Sequence, residues 1–446
     1  MRTALAVGVA CTPLIAGCQL LFPTVAEPSD AGGDARDSAS DVGREAGDGG
    51  RDAPPSIYNA LDGGNWQVYS LGLTSPFSIG GAFDGRYVYF APNGGVVQRH
   101  DTHAPFAMGW SSFDPAKLGA GASDTFSGAA FDGKFVYFIG FSFQSPQTHA
   151  VFARYDPSSP FGDPSSWKEF DVTAADPRAV SFSGAAFDGR YLYFAPLYNG
   201  FVERFDTTGV FQDPASWVGT DLGTTGSPAF EGAIYDGRYV YFVPHYHSLL
   251  TDAGWVEAMT ASGTTARFDT KGTFTSAAAW TRFDTTKLDK NASGFAGGAY
   301  DGRYVYFVPY VNYVAVAVRY DTTTTAFDVE SSWEKFDCTL ALTTAAGFVS
   351  GAFDGRYVYF APDVNSANSP TGVLLRYDTT HDFRAAASWS SYDIANLSAN
   401  AIGYAGTVFD GEYLYFVPFS SGIVAQFHAR TTPFPQRLPT FPGSFL

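Results

Sequence analysis

Apolar and polar positions along this chain follow a recurring phrase rather than a single simple period. A stretch of small residues runs into Phe or Tyr, meets Asp-Gly, and continues as an aromatic run closed by proline. The first full copy is Gly80-Gly-Ala-Phe-Asp-Gly-Arg-Tyr-Val-Tyr-Phe-Ala-Pro92, and its Asp-Gly returns at Asp132, Asp188, Asp236, Asp301, Asp354 and Asp410 after Asp84. Asp-Gly flanked by Tyr, Phe and Val supplies the positive φ that a tight hairpin turn needs. Each copy therefore predicts two antiparallel strands: strand A before the turn, as in Gly184-Ala-Ala-Phe187, and strand B after it, as in Tyr191-Leu-Tyr-Phe194. Pro92, Pro196, Pro244, Pro309, Pro362 and Pro418 follow strand B. Lacking an N–H, proline cannot extend the ladder, so strand B ends there. A third segment, strand C, comes next, Arg-Tyr/Phe-Asp from Arg154, Arg204, Arg267, Arg319 and Arg376, with Arg99-His-Asp101 in the first copy. A fourth, strand D, opens on Trp110, Trp167, Trp217, Trp280, Trp333 or Trp389.

Copies spaced 48 to 65 residues apart mean an array, and four β-strands per long repeat is the pattern of propeller blades. Strand B is apolar on both faces, which suits a sheet buried between neighbouring sheets. Gly and Ala in strand A suit the innermost position, where blades crowd the axis. A parallel β-helix is the rival, but its rungs are shorter and need no antiparallel hairpin in each. Every copy but the last is followed by a Trp segment, while an unassigned one, Trp66-Gln-Val-Tyr69, precedes the first. That strand is expected to complete the last blade, whose other strands come from residues 404 to 428, leaving no open sheet edge. The predicted fold is all-β: a seven-bladed β-propeller over residues 58–428, four antiparallel strands per blade, closed by an N-terminal strand and followed by a Pro/Phe-rich tail at 429–446. The units resemble kelch or related bacterial propeller repeats. The kelch double glycine is missing and the Asp-Gly hairpin is a different phrase, so no functional residues follow from the resemblance.

The N-terminus is another kind of sequence. Met1 to Gly17 carries one Arg, the apolar run Ala4-Leu-Ala-Val-Gly-Val-Ala10, and then Leu14-Ile-Ala-Gly before Cys18. It resembles a secretory signal peptide ending in the lipobox of bacterial lipoproteins, which implies cleavage before Cys18, acylation of that cysteine and a membrane anchor. The alternative, an uncleaved anchor helix from Thr3 to Phe22, has Pro13 in its middle. Gln19 after the cysteine, by resemblance to enterobacterial sorting, implies the outer membrane. Residues 18–57 form the lipidated cysteine and an acidic tether: Ala26 to Ser56 holds eight acidic and three basic residues and no aromatic, too little apolar surface to offset ordering entropy.

Cys11 leaves with the signal and Cys18 is the lipid site, so Cys338 stands alone and is expected as a packed thiol. Of the net charge of −17, Arg2 supplies +1, the tether −5 and the ring with its tail −13. An acidic ring repels phosphate backbones, which excludes nucleic acid as a partner. Sugars, peptides, cations and another protein are compatible, and a monomer is expected. His-Glu-x-x-His, Gly-x-Ser-x-Gly, phosphate-binding loops and Cys-x-x-Cys are absent from the sequence, so no cofactor or metal is called for and no catalytic residue can be named.

Repeated charges have a structural explanation. Arg86, Lys134, Arg190, Arg238, Arg303 and Arg356 open strand B, and Asp101, Asp156, Asp206, Asp269, Asp321 and Asp378 end the antiparallel third strand, with Glu412 and His428 exchanging signs in the last copy. Cross-strand pairs of this kind contribute about 0.2 to 1 kcal/mol each.

Function is sought where the copies differ. The Asp-Gly face is monotonous, whereas the opposite face carries the variable loops after strand B: Asn93, Leu197-Tyr198-Asn199, His245-Tyr246-His247, Tyr310-Val-Asn312 and Asp363-Val-Asn365. Tyr and Asn on a rigid scaffold suit a polar ligand. The fourth copy departs most: 33 residues separate its Asp-Gly from the third-strand Asp, the additional length including Trp255 and Glu257, and Glu231 stands in its strand A where others have Ile, Ser, Ala or Val. A two-residue turn at Asp236-Gly237 would pair Glu231 with Phe242 and put it on the sheet face opposite His245. That weakens a metal site built on His245, His247 and Glu231, and leaves an acid–base pair lacking a partner or ordinary loop polarity. The candidate ligand-binding residues are Tyr198, Asn199, Glu231, His245, Tyr246, His247, Tyr310, Asn312 and Asn365. The expected function is a surface or periplasm-facing lipoprotein whose propeller binds a glycan or protein; a propeller-fold polysaccharide hydrolase or lyase is the alternative, since propellers also host enzymes whose residues are scattered across blades.

Overall fold

A computed structural model describes residues 56–72, 77–119, 125–141, 149–223, 228–251, 254–311, 315–324 and 326–433. Seven antiparallel sheets form the blades of a propeller. Six are built from consecutive chain segments, and the seventh takes its outermost strand, Trp66–Ser70, from the N-terminal side of the ring. That strand pairs with Ile423–His428 from Trp66↔Phe427 to Ser70↔Ile423. Strand A of each blade contacts strand A of the next all the way round, and the first (Ser78–Phe83) meets the last (Tyr404–Phe409). Strand A is therefore innermost and the ring is closed. Among the described residues the remaining regular elements are short 3₁₀ turns, and no helix is long and apolar enough to cross a membrane.

The recurring phrase has a concrete cause at the turn. In the first blade Asp84 Oδ1 accepts the backbone N–H of Arg86 and Tyr87 at 2.8 and 2.6 Å, and Oδ2 accepts the hydroxyl of Tyr89 at 2.6 Å. The same tyrosine hydroxyl reaches the turn aspartate in every blade, at 2.6 to 3.0 Å (Tyr137, Tyr193, Tyr241, Tyr306, Tyr359, Tyr415). A buried phenol needs a partner, and one carboxylate serves both it and the turn.

The next layer out is equally regular. The strand-C arginine lies over the ring that opens strand B, 3.8 to 4.2 Å from its centroid, in Arg99/Tyr87, Arg154/Phe135, Arg204/Tyr191, Arg267/Tyr239, Arg319/Tyr304 and Arg376/Tyr357. Each strand-D tryptophan from Trp110 to Trp389 donates its Nε1–H to a phenylalanine carbonyl of the preceding loop. The expected cross-strand ion pairs form at 2.7 to 2.8 Å in blades one, three, four, five and six, and Glu412 meets His428 at 3.1 Å. Blade two differs: Lys134 sits over the Phe135 ring at 4.7 Å instead of joining Asp156. Cys338 is a buried free thiol, its pKa pushed up by burial.

The two ends of the ring, Ile57–Tyr58 and Arg430–Thr431, meet on the Asp-Gly face. Thr431 N–H donates to the carbonyl of Ile57 at 2.9 Å, and Arg430 Nη1 donates to the Asp354 carbonyl in the sixth blade's turn at 2.7 Å. Beside them Tyr58 meets Tyr357 edge-on at 5.9 Å.

Candidate functional site

The long connection of blade four is not a loop. Strand B continues to Thr251 (Tyr239–Thr251) and folds back as Gly254–Ala261, a hairpin added to the blade. Its base places His245 and Tyr246 at the end of the blade opposite the Asp-Gly turn.

The position of Glu231 corrects the sequence expectation. The turn is centred one residue later, on Gly237-Arg238, with Tyr235 opposite Val240 and Ala233, not Glu231, opposite Phe242. Between Ala233↔Phe242 and Phe230↔Pro244 strand A carries one residue more than strand B, and Gly232 takes φ +101°. Such a bulge reverses which face the following side chain takes. Glu231 thus faces His245, with Oε2 2.8 Å from Nε2. All seven strand A–strand B pairings carry a shift of this kind.

His245 is nearly buried, and its Nδ1 lies 2.9 Å from the carbonyl oxygen of Phe295 in the neighbouring blade. A carbonyl accepts only, so Nδ1 carries a proton, and one further proton is shared between Nε2 and Glu231. In the seam between blades two and three, Ser127 Oγ donates to the equivalent carbonyl, that of Phe182. His245 therefore stitches blades as well as holding Glu231. Both ring nitrogens are engaged, which removes His245 from a metal set with His247. Among the described residues no group of three His, Cys, Asp or Glu is placed to hold a metal.

Tyr310 stacks on His245 (5.7 Å, 20°) and its hydroxyl lies 3.2 Å from Asp363 Oδ2. Tyr246 meets the imidazole edge-on at 4.4 Å. Asp363 is 5% exposed. Burial pushes its pKa up to about 7, the Tyr310 hydrogen bond opposes that rise, and the charge of Glu231 adds to it. Burial and the nearby carboxylates likewise raise the Tyr310 phenol. Glu231, His245, Tyr310 and Asp363 thus form one polar cluster drawn from blades four, five and six, walled by aromatic rings.

Other expected residues do different work. Asn199 is buried, with Nδ2 donating to the Arg178 carbonyl at 2.6 Å and Oδ1 accepting from Phe201 N–H at 3.1 Å, so its amide shapes a turn. Asn365 Oδ1 accepts from Ala367 and Ser369 N–H, again a turn. Tyr198 packs with Phe141 and Leu197 in a small apolar cluster. His247 is half-buried, its backbone paired with Pro228. Asn312 and Cys18 lie outside the described residues. Asp363 was visible in the sequence as part of a variable loop but not singled out. The missed signal is positional: His245, Tyr310 and Asp363 each directly follow the strand-B proline in three successive copies.

Solved structures share the architecture at low identity. A selenomethionine-substituted virginiamycin B lyase from Staphylococcus aureus is similar at 13% identity and TM-score 0.55, covering 81% of this chain and 98% of that one. A streptogramin B lyase follows at 12% and 0.52 (82% and 97%), and YCF48 bound to D1 peptide at 12% and 0.53 (84% and 99%). No protein-family model and no curated protein sequence matches the chain. At these identities the likeness is one of fold: the chain is a seven-bladed β-propeller.

Proposed function

We propose that this is an exported lipoprotein, anchored through Cys18 to a bacterial membrane and by its Gln19 to the outer one, whose propeller binds a glycan or protein ligand on the face carrying His245, Tyr310 and Asp363. The observation that carries the reading is the contrast between the faces. On the Asp-Gly face the turn carboxylates are consumed by backbone N–H groups and tyrosine hydroxyls, and all five strand-B arginines are paired. On the other, polar groups from three blades converge beside aromatic rings without following the repeat. Rings with few rotamers and adjacent donors and acceptors are the equipment of polar-ligand recognition. Ile57 and Tyr58 make their contacts with the ring on the Asp-Gly face. Among fold neighbours, one is described as bound to a peptide and two as lyases, so the architecture accommodates ligands of both kinds.

The test is binding of the full chain to immobilised glycans and peptides. Tyr246→Ala with Tyr310→Ala should weaken binding at least about tenfold, as loss of aromatic anchors does, with the melting temperature within a few degrees. Arg238→Ala on the opposite face should leave binding intact. Normal binding by the double variant, with loss in Arg238→Ala, would assign the functional face the other way round. For the anchor, Cys18→Ser should move the protein from the membrane to the soluble fraction; a variant as tightly bound as the parent refutes lipidation.

A further inference from the structure

We propose that the variable face takes an arginine side chain of a protein ligand, its guanidinium set among the Tyr246 and Tyr310 rings and the carboxyls of Glu231 and Asp363. This rests on the binding reading of that face and names the group recognised there.

Each carboxyl is held by one oxygen and leaves the other open. Glu231 Oε2 lies 2.8 Å from His245 Nε2, and Asp363 Oδ2 lies 3.2 Å from the Tyr310 hydroxyl. Glu231 Oε1 and Asp363 Oδ1 accept no hydrogen bond from any described residue. His245 Nδ1 donates to the Phe295 carbonyl, so the imidazole has one nitrogen for Glu231 and serves one of its oxygens. At Asp363, only 5% exposed, an oxygen without a donor forfeits solvation, and a donor carried by a ligand removes that cost. The group is reachable from outside: the Glu231 side chain is 18% exposed, and Tyr246 and Tyr310 are half-buried. Among the described residues no Lys or Arg is paired with either carboxyl.

Elsewhere the protein completes the same combination of ring and carboxylate with arginine. Arg319 lies 3.8 Å over the Tyr304 ring while its Nε donates to Glu334 Oε2 at 2.8 Å. Arg86 lies 5.0 Å over Tyr87 and reaches Asp101 Oδ2 through Nε and Nη2. On the variable face the rings and carboxyls are present and the cation is left to a partner. A guanidinium suits them because it is planar and permanently charged, lying against a ring while its edge donates to more than one acceptor. A metal ion would ask for more ligands than converge here, since among the described residues no group of three His, Cys, Asp or Glu is placed to hold one. A neutral sugar would bond the open oxygens but leave their charge uncompensated. Arginine and tyrosine are also the side chains on which protein interfaces most often depend.

The experiment titrates the full chain in a calorimeter with capped Gly-Arg-Gly-Arg-Gly, with the same peptide carrying citrulline, which keeps the shape of arginine without its charge, and with a neutral chitin oligosaccharide. The arginine peptide should bind at least about tenfold more tightly than the citrulline one, and less tightly as salt is added. Glu231→Gln and Asp363→Asn should each weaken the arginine peptide by about tenfold or more, the usual effect of losing a hydrogen bond to a charged group, and narrow its lead over citrulline. Their melting temperatures should stay within a few degrees of the parent. Asp213 is exposed and caps the Ala215 N–H in blade three, so Asp213→Asn removes an equal charge outside the cluster and should weaken binding by less than about twofold. Equal binding of the two peptides, or as great a loss in Asp213→Asn as in the cluster variants, overturns the arginine assignment. Binding of the chitin oligosaccharide that disappears in Tyr246→Ala with Tyr310→Ala, without binding of the arginine peptide, also overturns it and leaves the variable face standing as the ligand site. Binding of none of the three counts against both.

Discussion

Replacing Glu203 by glutamine should remove a pH dependence from the stability of the ring. Glu203 lies in strand C of blade three between Phe194 and Gly219, with no exposed surface and neither carboxyl oxygen hydrogen-bonded. Gly219 is what admits it: a Cβ there would come 2.1 Å from the Phe201 ring and 2.8 Å from Glu203 Oε2. Burial, then the charge of Asp176, pushes the Glu203 pKa from 4.5 up to about 8, with Arg178 acting the other way. Arg178 does not reach it as a partner. Its guanidinium is bound to Asp176 at 2.8 Å and lies over Phe201.

Between those two pH values the folded chain holds a proton that the unfolded chain has released, so stability falls as pH rises. The contribution is complete below about 4.5, declines by about 1.4 kcal/mol per pH unit, and is gone above about 8, a ceiling of about 5 kcal/mol. Glutamine keeps the shape and cannot ionise. Denaturant midpoints of both proteins at pH 5, 6, 7 and 8 give a difference that isolates this group from Asp363 and other carboxyls. Near pH 5 the two should be closely matched, and by pH 8 the variant should be ahead by several kcal/mol. Asp176→Asn should lower the Glu203 pKa and shrink the difference. Parallel stability curves across the range would show that the carboxyl is hydrated or charged and refute the reasoning.

Deletion of 65–71 removes the outer strand of blade seven, the stacking of Trp66 on Tyr392 and its tilted contact with Phe427; exposed-edge association in size-exclusion chromatography is expected, and a monomer melting at the parent temperature would contradict closure by that strand. Tyr193→Phe leaves Asp188 Oδ2 without its 2.7 Å donor inside a closed turn and should cost about 1 kcal/mol in denaturant unfolding. An unchanged midpoint would mean that the hydroxyl adds nothing to the turn.

Blade number, strand order and ring closure were legible because each rests on a local device repeated along the chain. Asp-Gly fixes a turn wherever it occurs, proline ends strand B in five of the six copies that carry it, the exception being the fourth, where the strand runs past Pro244 to Thr251, and an extra Trp strand at the start implies an acceptor at the end. Glu231 was placed on the wrong face because one inserted residue reverses a strand's alternation, and Gly at the bulge looks in sequence like any other small strand-A residue. Asn199 and Asn365 hydrogen-bond backbone groups, and the sequence alone does not distinguish that use of a loop asparagine from contact with a ligand. Lys134 has the repeat's charge but lacks the forked guanidinium, and only the arginines make the two-pronged contact with aspartate.

The residue after the strand-B proline shows why a site arises where it does. In each blade the turn aspartate and the tyrosine that caps it constrain one another, and in six of the seven an arginine over the neighbouring ring joins them, so a change in any of them leaves a buried polar group unsatisfied. One step beyond the proline those ties end, and the chain has Asn93, Leu197, His245, Tyr310, Asp363 and Phe419. In a closed ring that position recurs on one rim, so changes in adjacent blades meet without any rearrangement of the scaffold. His245, Tyr310 and Asp363 are three consecutive occupants of it, and Glu231 joins them from the inner strand through its bulge. A repeat that is rigid for structural reasons therefore concentrates its chemical variation on one face.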